Sequence, residues 1–262
     1  MAQVTVIIAA FNAEATLDAA IASALAQTVP VEVVIVDDCS TDGTLTVAKA
    51  WADRDPRVCV FSQPVNSGPS AARNRAIAES DAPWIAVLDS DDRMEPDRLA
   101  SLIKLADSHS ADFVADDLWK LLEGAAPTER TRLLGDVAGV ATLSAAEFVA
   151  GNLSARRGGR SEMGFLKPLM SRKFLELHEL SYANGIRLGE DYVLYAQSLM
   201  KGARFLLTEP AGYLAIVRPG SLSGSHPTEA HTHHVEAARA MLAAHDLSRD
   251  LRQALKAHQL EQ

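Results

Sequence analysis

Short apolar runs rich in β-branched residues alternate with longer amphipathic ones through the first half of the chain. "VTVIIAA" at 4–10 is a run of the kind buried on both faces of a parallel sheet, and "AEATLDAAIASALAQ" at 13–27 follows with Leu17, Ile21 and Leu25 at helical spacing. The pair predicts one strand–helix unit. The rhythm recurs as "VEVVIVD" then "GTLTVAKAWAD", as "RVCVFSQ" then "PSAARNRAIAES", and as "WIAVLD" then "EPDRLASLIKLADS". Such a series predicts an α/β fold with a mostly parallel sheet, right-handed crossovers and helices on both faces. After residue 115 the rhythm breaks. "EGAAPTERTRLLGDVAGV" (123–140) predicts an irregular insertion or a hairpin, "GEDYVLYAQSLMKG" (189–202) a helix, and the chain from "TEAHTHHVEAARAMLAAHDL" onward two amphipathic helices.

Composition narrows the classes. With 262 residues, 48% of them hydrophobic, the chain can bury the core of one large domain or of a domain with an appendage. The formal net charge of -9 excludes a mainly electrostatic grip on nucleic acid, which needs clustered Lys and Arg. Cys39 and Cys59 form neither a disulfide framework nor a zinc-type spacing, as expected in a reducing compartment. "MAQVTVIIAAF" lacks the basic start of a signal peptide and no apolar run approaches bilayer length, so the expected address is cytoplasmic.

In parallel sheets ligands bind beyond the carboxyl ends of the strands. Three of the predicted strand ends are polar: "DDCSTDG" (37–43), "NSGPSAARN" (66–74) and "DSDD" (89–92). Asp37 and Asp38 suit ribose hydroxyls or a base N–H, and suit helix capping equally well. Asp89 and Asp91 are hard oxygen ligands for Mg²⁺ or Mn²⁺; Asp91 or Asp92 could instead begin the helix near Pro96, or the stretch could be a solvated loop. A Ca²⁺ hand is excluded by the missing Gly and terminal Glu. Glu190 and Asp191 taken alone read as an acidic first helical turn. His231, His233 and His234 lack the Cys or acidic partners of a zinc site and read as a surface helix. Arg156, Arg157 and Arg160 could face anionic lipid or an acceptor diphosphate, or simply form a loop.

The order "VIIAAFNAEATLDAAIASALAQT", "VVIVDDCSTDGT", "NSGPSAARNRAI", "VLDSDDRMEPDRL" and "GEDYVLYAQSLMKGARF" closely resembles the inverting glycosyltransferases of family 2, over residues 3–122 and, more loosely, 160–225. The resemblance implies a GT-A (Rossmann-like) fold, with a nucleotide-sugar-binding half at 1–122, an acceptor-side half at 123–225 and a helical tail at 226–262. It implies a sugar-nucleotide donor, usually a UDP-sugar, with Ala9 and Phe11 beside the base, Asp38 on the uracil edge and Arg73 nearby. Asp89 would contact ribose or metal, and Asp91 would ligate a divalent ion, Mn²⁺ or Mg²⁺, bridging the diphosphate. Asp191 falls on the general-base position with Glu190 in support. A Tyr followed by "RPGSLS" falls on Tyr213, Arg218, Ser221 and Ser223, a loop able to close on the diphosphate, and His226 could complete the ion's ligands.

Those residue types fit the reaction. Inversion needs a hydroxyl attacking opposite the leaving nucleotide with a carboxylate to take its proton, while cations stabilise the departing diphosphate. The base should therefore stand about a sugar's width from the metal carboxylates. The chain has neither transmembrane helices nor the Q-x-x-R-W signature of strongly processive members, which favours transfer of a single sugar to a growing bacterial glycan, such as one carried on a polyprenyl diphosphate. Core packing is the first explanation of the tail, with a homodimer interface or peripheral membrane contact second. Two other functions compete. A sugar nucleotidyltransferase should carry a Gly-rich basic loop after its first strand, where "AAFNAEAT" stands, and a non-catalytic sugar-nucleotide-binding partner would not need Asp91 and Asp191 together.

Overall fold

The structure, a computed structural model, describes residues 1–135, 137–155, 159–160, 163–186, 188–218, 236–243 and 247–261. The predicted strand–helix units are present: β1 (Val4–Ala10), α1 (Leu17–Leu25), β2 (Val31–Asp37), α2 (Thr44–Ala52), β3 (Val58–Ser62), α3 (Pro69–Ala78) and β4 (Trp84–Val87). A two-residue β5 (Arg93–Met94) intervenes before α4 (Arg98–His109) and β6 (Phe113–Asp116). Then come β7 (Trp119–Leu122), β8 (Thr131–Arg132), β9 (Val140–Leu143), α5 (Ala145–Ala150) and the ribbon β10 (Ser154–Ala155) with β11 (Gly159–Arg160). The chain continues through β12 (Leu169–Ser171), α6 (Arg172–Leu177), α7 (Glu190–Met200), β13 (Phe205–Thr208), β14 (Tyr213–Val217), α8 (helical over 236–242) and α9 (Arg249–Glu261).

The main sheet has the order β3-β2-β1-β4-β12-β6-β13-β9. β1 pairs in parallel with β2 and β4, while β12 runs antiparallel between β4 and β6, so β4 and β6 point the same way. All carboxyl ends from β1 to β4, and those of β6 and β13, therefore reach one edge. β1, β2 and β4 are mostly apolar and buried, as the parallel arrangement demands with both faces covered, while β3 at the edge of the sheet is partly exposed. α3 lies against β1 and β2, α2 against β3, and α4 against β6.

The segment predicted as an insertion or a hairpin is resolved as the hairpin. β7 and β8 pair antiparallel and join β5 and β14 in a second sheet of order β5-β14-β7-β8, which stands beside the "DSDD" loop because β5 follows that loop directly. The sequence did not show this sheet, since β14 pairs with β5 and β7, strands about a hundred residues before it. The "SARRGGR" stretch is closed by the β10–β11 pairing. The tail packs on the core: Ala238, Met241, Leu251 and Leu255 are buried, α9 lies on α5, and the His258 ring stacks on Tyr192 with centroids 4.6 Å apart.

Candidate active site

Backbone geometry prepares the strand ends. After β1 and β2, Asn12 and Cys39 both adopt positive φ, 50° and 63°, a conformation that costs non-glycine residues energy and recurs near functional sites. The two turns are stitched together: Asn12 N–H donates to Ser40 Oγ at 3.0 Å, and Thr41 N–H donates to Asn12 Oδ1 at 2.9 Å. Asp38 is buried, its carboxylate accepting the Ser67 N–H at 2.8 Å and the Gly68 N–H at 2.7 Å, so it holds the entry to α3 whatever else it binds. Neighbouring Asp37 is also buried, and among the described residues its Oδ1 has no hydrogen-bond partner. Phe11 is 48% exposed, an aromatic face open beside these turns, and Ala9, near the end of β1, is partly buried against the core.

The residues from "DSDD" divide into three environments. Asp92 is buried, with Oδ2 accepting from the Tyr213 hydroxyl at 2.9 Å and Oδ1 from the Ile216 N–H at 2.8 Å. Burial, then the charges of Asp89 and Asp91, push its carboxyl well above the usual carboxylate range. Asp92 thus ties the loop to β14 and does not begin the helix, whose preceding residue is Asp97. Tyr213, expected in a closing loop, is the fully buried first residue of β14, and its hydroxyl also accepts the Asp89 N–H at 3.2 Å. Asp91 is partly open, touched by Arg218 Nη1 at 3.2 Å, and both burial and the charge of Asp89 raise its carboxyl. Arg218 also donates from Nε to Glu123 at 2.8 Å.

Asp89 sits differently from a metal ligand. Its Oδ1 accepts from Arg73 at 2.7 Å and its Oδ2 faces Lys167 Nζ at 3.0 Å. Burial would raise its carboxyl, but Lys167 and Arg73 outweigh that and hold it at about 2. Arg73, expected near the nucleotide, is buried in the same cluster: Nη1 meets Glu190 Oε1 at 2.5 Å and Asp191 Oδ1 at 3.2 Å, and its guanidinium lies over the Tyr182 ring. Its cation is spent on carboxylates, because three of them converge on it, two of them, Glu190 and Asp191, buried away from water and Asp89 partly exposed. Lys167, buried as well, donates to Asp191 Oδ2 at 2.6 Å.

Glu190 and Asp191 stand in the first turn of α7, as read from the sequence, behind Gly189 at φ 84°, a conformation that suits glycine. Both are buried. Burial, then the Asp191 charge against the opposing pull of Arg73, raises the Glu190 carboxyl. Among the described residues Asp191 Oδ1 has only long contacts, 3.2 Å to Arg73 and 3.3 Å to the Tyr195 hydroxyl, so it is the more loosely held oxygen. The spacing expectation meets a mixed outcome: Asp191 and Asp89 are not hydrogen-bonded to each other, yet a single cation's width separates them, less than a sugar. Asp91 stands outside that pair.

The donor set therefore suits a divalent ion mainly at Asp91, a hard oxygen left partly open among like charges, with Asp89 behind it. Among the described residues no three His, Cys, Asp or Glu side chains come together as a ready-made ion cage. Ser221, Ser223 and His226 lie outside the described residues, as do His231, His233, His234, Arg156 and Arg157. Sequence reasoning missed Lys167 and Arg98. Lys167 had a signal: it is the lone charge in the apolar run "FLKPLM", and a buried lysine demands a partner. Arg98 had none.

Comparison with known proteins agrees with this geometry. The glycosyl transferase family 2 sequence model matches residues 5–158. The chain is 44% identical over 256 residues to the succinoglycan biosynthesis protein ExoU of Rhizobium meliloti, covering 98% of this chain and 74% of that protein. It is 40% identical over 222 residues to ExoO of the same organism, covering 84% of this chain and 62% of ExoO, less than two thirds of that relative's length. Residues 1–349 of S. aureus TarS, solved in complex with UDP-GlcNAc, superpose with a TM-score of 0.77 at 19% identity, covering 98% of this chain and 71% of that one. The mannosyltransferase PcManGT from Pyrobaculum calidifontis, in complex with GDP-Man and Mn²⁺, gives 0.65 at 16%, covering 98% and 69%. The solved structures establish the GT-A fold, and on the matched motifs together with the ExoU identity the chain belongs to glycosyl transferase family 2.

Proposed function

We propose that this chain is an inverting glycosyltransferase that moves a single sugar from a nucleotide-diphosphate donor, a UDP-sugar, to a hydroxyl of a glycan or polyprenyl-diphosphate-linked acceptor during cell-surface polysaccharide synthesis. The observation that carries the reading is the convergence, on one sheet edge of a family 2 chain, of Asp91 after β4, the α7 carboxylate Asp191 and the open aromatic face of Phe11. The names of ExoU and ExoO support succinoglycan-type polysaccharide as the product class.

In this reading Phe11 stacks on the base, while Asp37, Asp38 and Ala9 surround it. The acceptor hydroxyl gives its proton to Asp191 Oδ1 as its oxygen bonds to the anomeric carbon, and the bond from that carbon to the diphosphate breaks on the opposite face. Arg218 stabilises the charge on the departing diphosphate, and Ser221 and Ser223 are assigned to donor binding on the sequence resemblance alone. Asp91, supported by Asp89 and with His226 as a further candidate, would hold Mn²⁺ or Mg²⁺, which when bound supplies Lewis-acid neutralisation of the diphosphate. Glu190 holds Arg73 in place beside the base.

No helix among the described residues is long and apolar enough to cross a membrane. A cytoplasmic enzyme that meets a lipid-linked acceptor peripherally, at the inner face of the cytoplasmic membrane, fits the proposal. The test is calorimetric titration of UDP, GDP and dTDP, each with Mn²⁺ and with EDTA, followed by product analysis with the matching sugar donors. Mn²⁺-dependent UDP binding and an anomerically inverted product are expected. Absence of nucleotide binding under every condition would overturn the reading.

A further inference from the structure

Four side chains close an ionic ring beneath the site. Asp89 Oδ1 and Asp191 Oδ1 both face Arg73, at 2.7 and 3.2 Å, while Asp89 Oδ2 and Asp191 Oδ2 both face Lys167, at 3.0 and 2.6 Å. Each carboxylate thus meets one cation on each of its oxygens. The four residues come from four elements: the end of β4, α3, the segment before β12, and the first turn of α7.

We propose that Lys167 is the positioning residue that fixes the orientation of the Asp191 carboxylate and ties it to the donor-side loop at Asp89. The inference rests on Asp191 being the base. One cation on one oxygen leaves a carboxylate free to swing about its Cβ–Cγ bond, whereas cations on both oxygens fix its plane. The short Lys167 contact anchors Oδ2 and leaves the loosely held Oδ1 as the oxygen aimed at an incoming hydroxyl. The Lys167 backbone is itself constrained, because its carbonyl accepts from Arg98 Nη2 at 2.5 Å and it precedes Pro168, which disfavours the helical region. Burying an ammonium on a backbone this constrained, between carboxylates from two functional elements, is costlier than filling the space with a methionine, as a purely structural role would allow.

The test compares Lys167→Met, Lys167→Gln and Lys167→Arg with the wild-type enzyme, each first melted to establish folding. For a folded neutral variant kcat falls about 100-fold, the scale on which a misplacement of roughly 1 Å costs rate, while Mn²⁺-dependent UDP binding by calorimetry and the donor KM, which feel Lys167 only through Asp89, change by at most about tenfold. Lys167→Arg, which restores a cation, recovers most of that loss. In an Asp89→Asn background the Lys167→Met effect shrinks, because one side of the ring is already weakened and the two changes are coupled. A neutral variant with wild-type kcat overturns the proposal, as does an equal loss of UDP binding and turnover. If neither neutral variant folds, Lys167 is a stability residue and the proposal also fails. Asp191→Asn separates the two readings: normal transfer by that variant removes the base assignment itself, whereas a dead Asp191→Asn beside a fully active Lys167→Met removes only the role given to Lys167.

Discussion

Replacing Arg98 by methionine should loosen the floor of the active site by an amount the structure allows to be worked out. The Arg98 side chain is fully buried. Its Nε and Nη2 donate to Asp116 Oδ1 at 3.0 and 2.7 Å, Nη2 also reaches the Lys167 carbonyl, and the guanidinium lies 4.9 Å from the centre of the Tyr213 ring. Methionine fills much of the stem volume but strands Asp116, whose fully buried carboxylate keeps the Ala211 N–H at 2.9 Å and a long contact to the Tyr213 N–H at 3.4 Å, both on Oδ2, and loses both donors to Oδ1. Removing one partner of a buried pair costs about 3–5 kcal/mol. At about 2–4 °C per kcal/mol for a domain of this size, the melting temperature should fall by roughly 6–20 °C. Urea denaturation followed by circular dichroism measures the loss directly. Asp116→Asn in the same chain removes the stranded charge, so the double variant should be more stable than the sum of the two single losses predicts. A single variant within about 1 kcal/mol of wild type, or a strictly additive double variant, would refute the reasoning.

Three further outcomes are expected. Asp191→Asn should retain Mn²⁺-dependent UDP binding in calorimetry yet lose transfer by about 10²–10⁴-fold, the usual range for a missing general base. Asp91→Ala should weaken UDP binding in Mn²⁺ far more than in EDTA, and equal weakening in both would place the ion elsewhere. Ser144 caps α5, exchanging hydrogen bonds with Glu147 in a capping box, so Ser144→Ala should cost about 1 kcal/mol at pH 7 in a thermal melt. The hydrogen bonds from the Ser144 side chain and then its N–H hold the Glu147 carboxyl below its ordinary 4.5. The folded value is the depressed one, so the carboxylate's share of the cap is present in full above pH 4.5 and is lost as pH falls through the lower folded value, while the Glu147 N–H bond to Ser144 Oγ persists; the gap between Ser144→Ala and wild type should narrow in acid without closing.

The strand–helix rhythm, the carboxylates at the strand ends and the acidic start of α7 were legible in the chain, because each follows from local rules. A doubly covered parallel strand must be apolar along its length, a helix repeats its apolar face every three or four residues, and charge collects where a buried strand meets water. The β7–β8 hairpin was readable only as one of two possibilities, since the residues between its strands carry no fixed turn signal. The location of Asp191 could be read, and its two cationic neighbours could not.

Charge pairing across the fold was decided by tertiary structure alone. Arg73 meets Asp89, Glu190 and Asp191 although more than a hundred residues separate it from the last two, Lys167 bridges the donor-side and α7 carboxylates, and Arg98 supports Lys167 from beneath. Within a sequence, "ARN" and "DRLAS" announce none of this, and "FLKPLM" announces only that its lysine needs some partner. A salt bridge depends on which oxygens and nitrogens arrive within about 3 Å after the sheet has ordered its strands, and a buried charge takes whichever opposite charges the packing leaves beside it. The sequence by itself determined the GT-A scaffold and the edge at which its chemistry gathers; the pairing of buried charges, and with it the setting of each carboxylate, came from the folded arrangement.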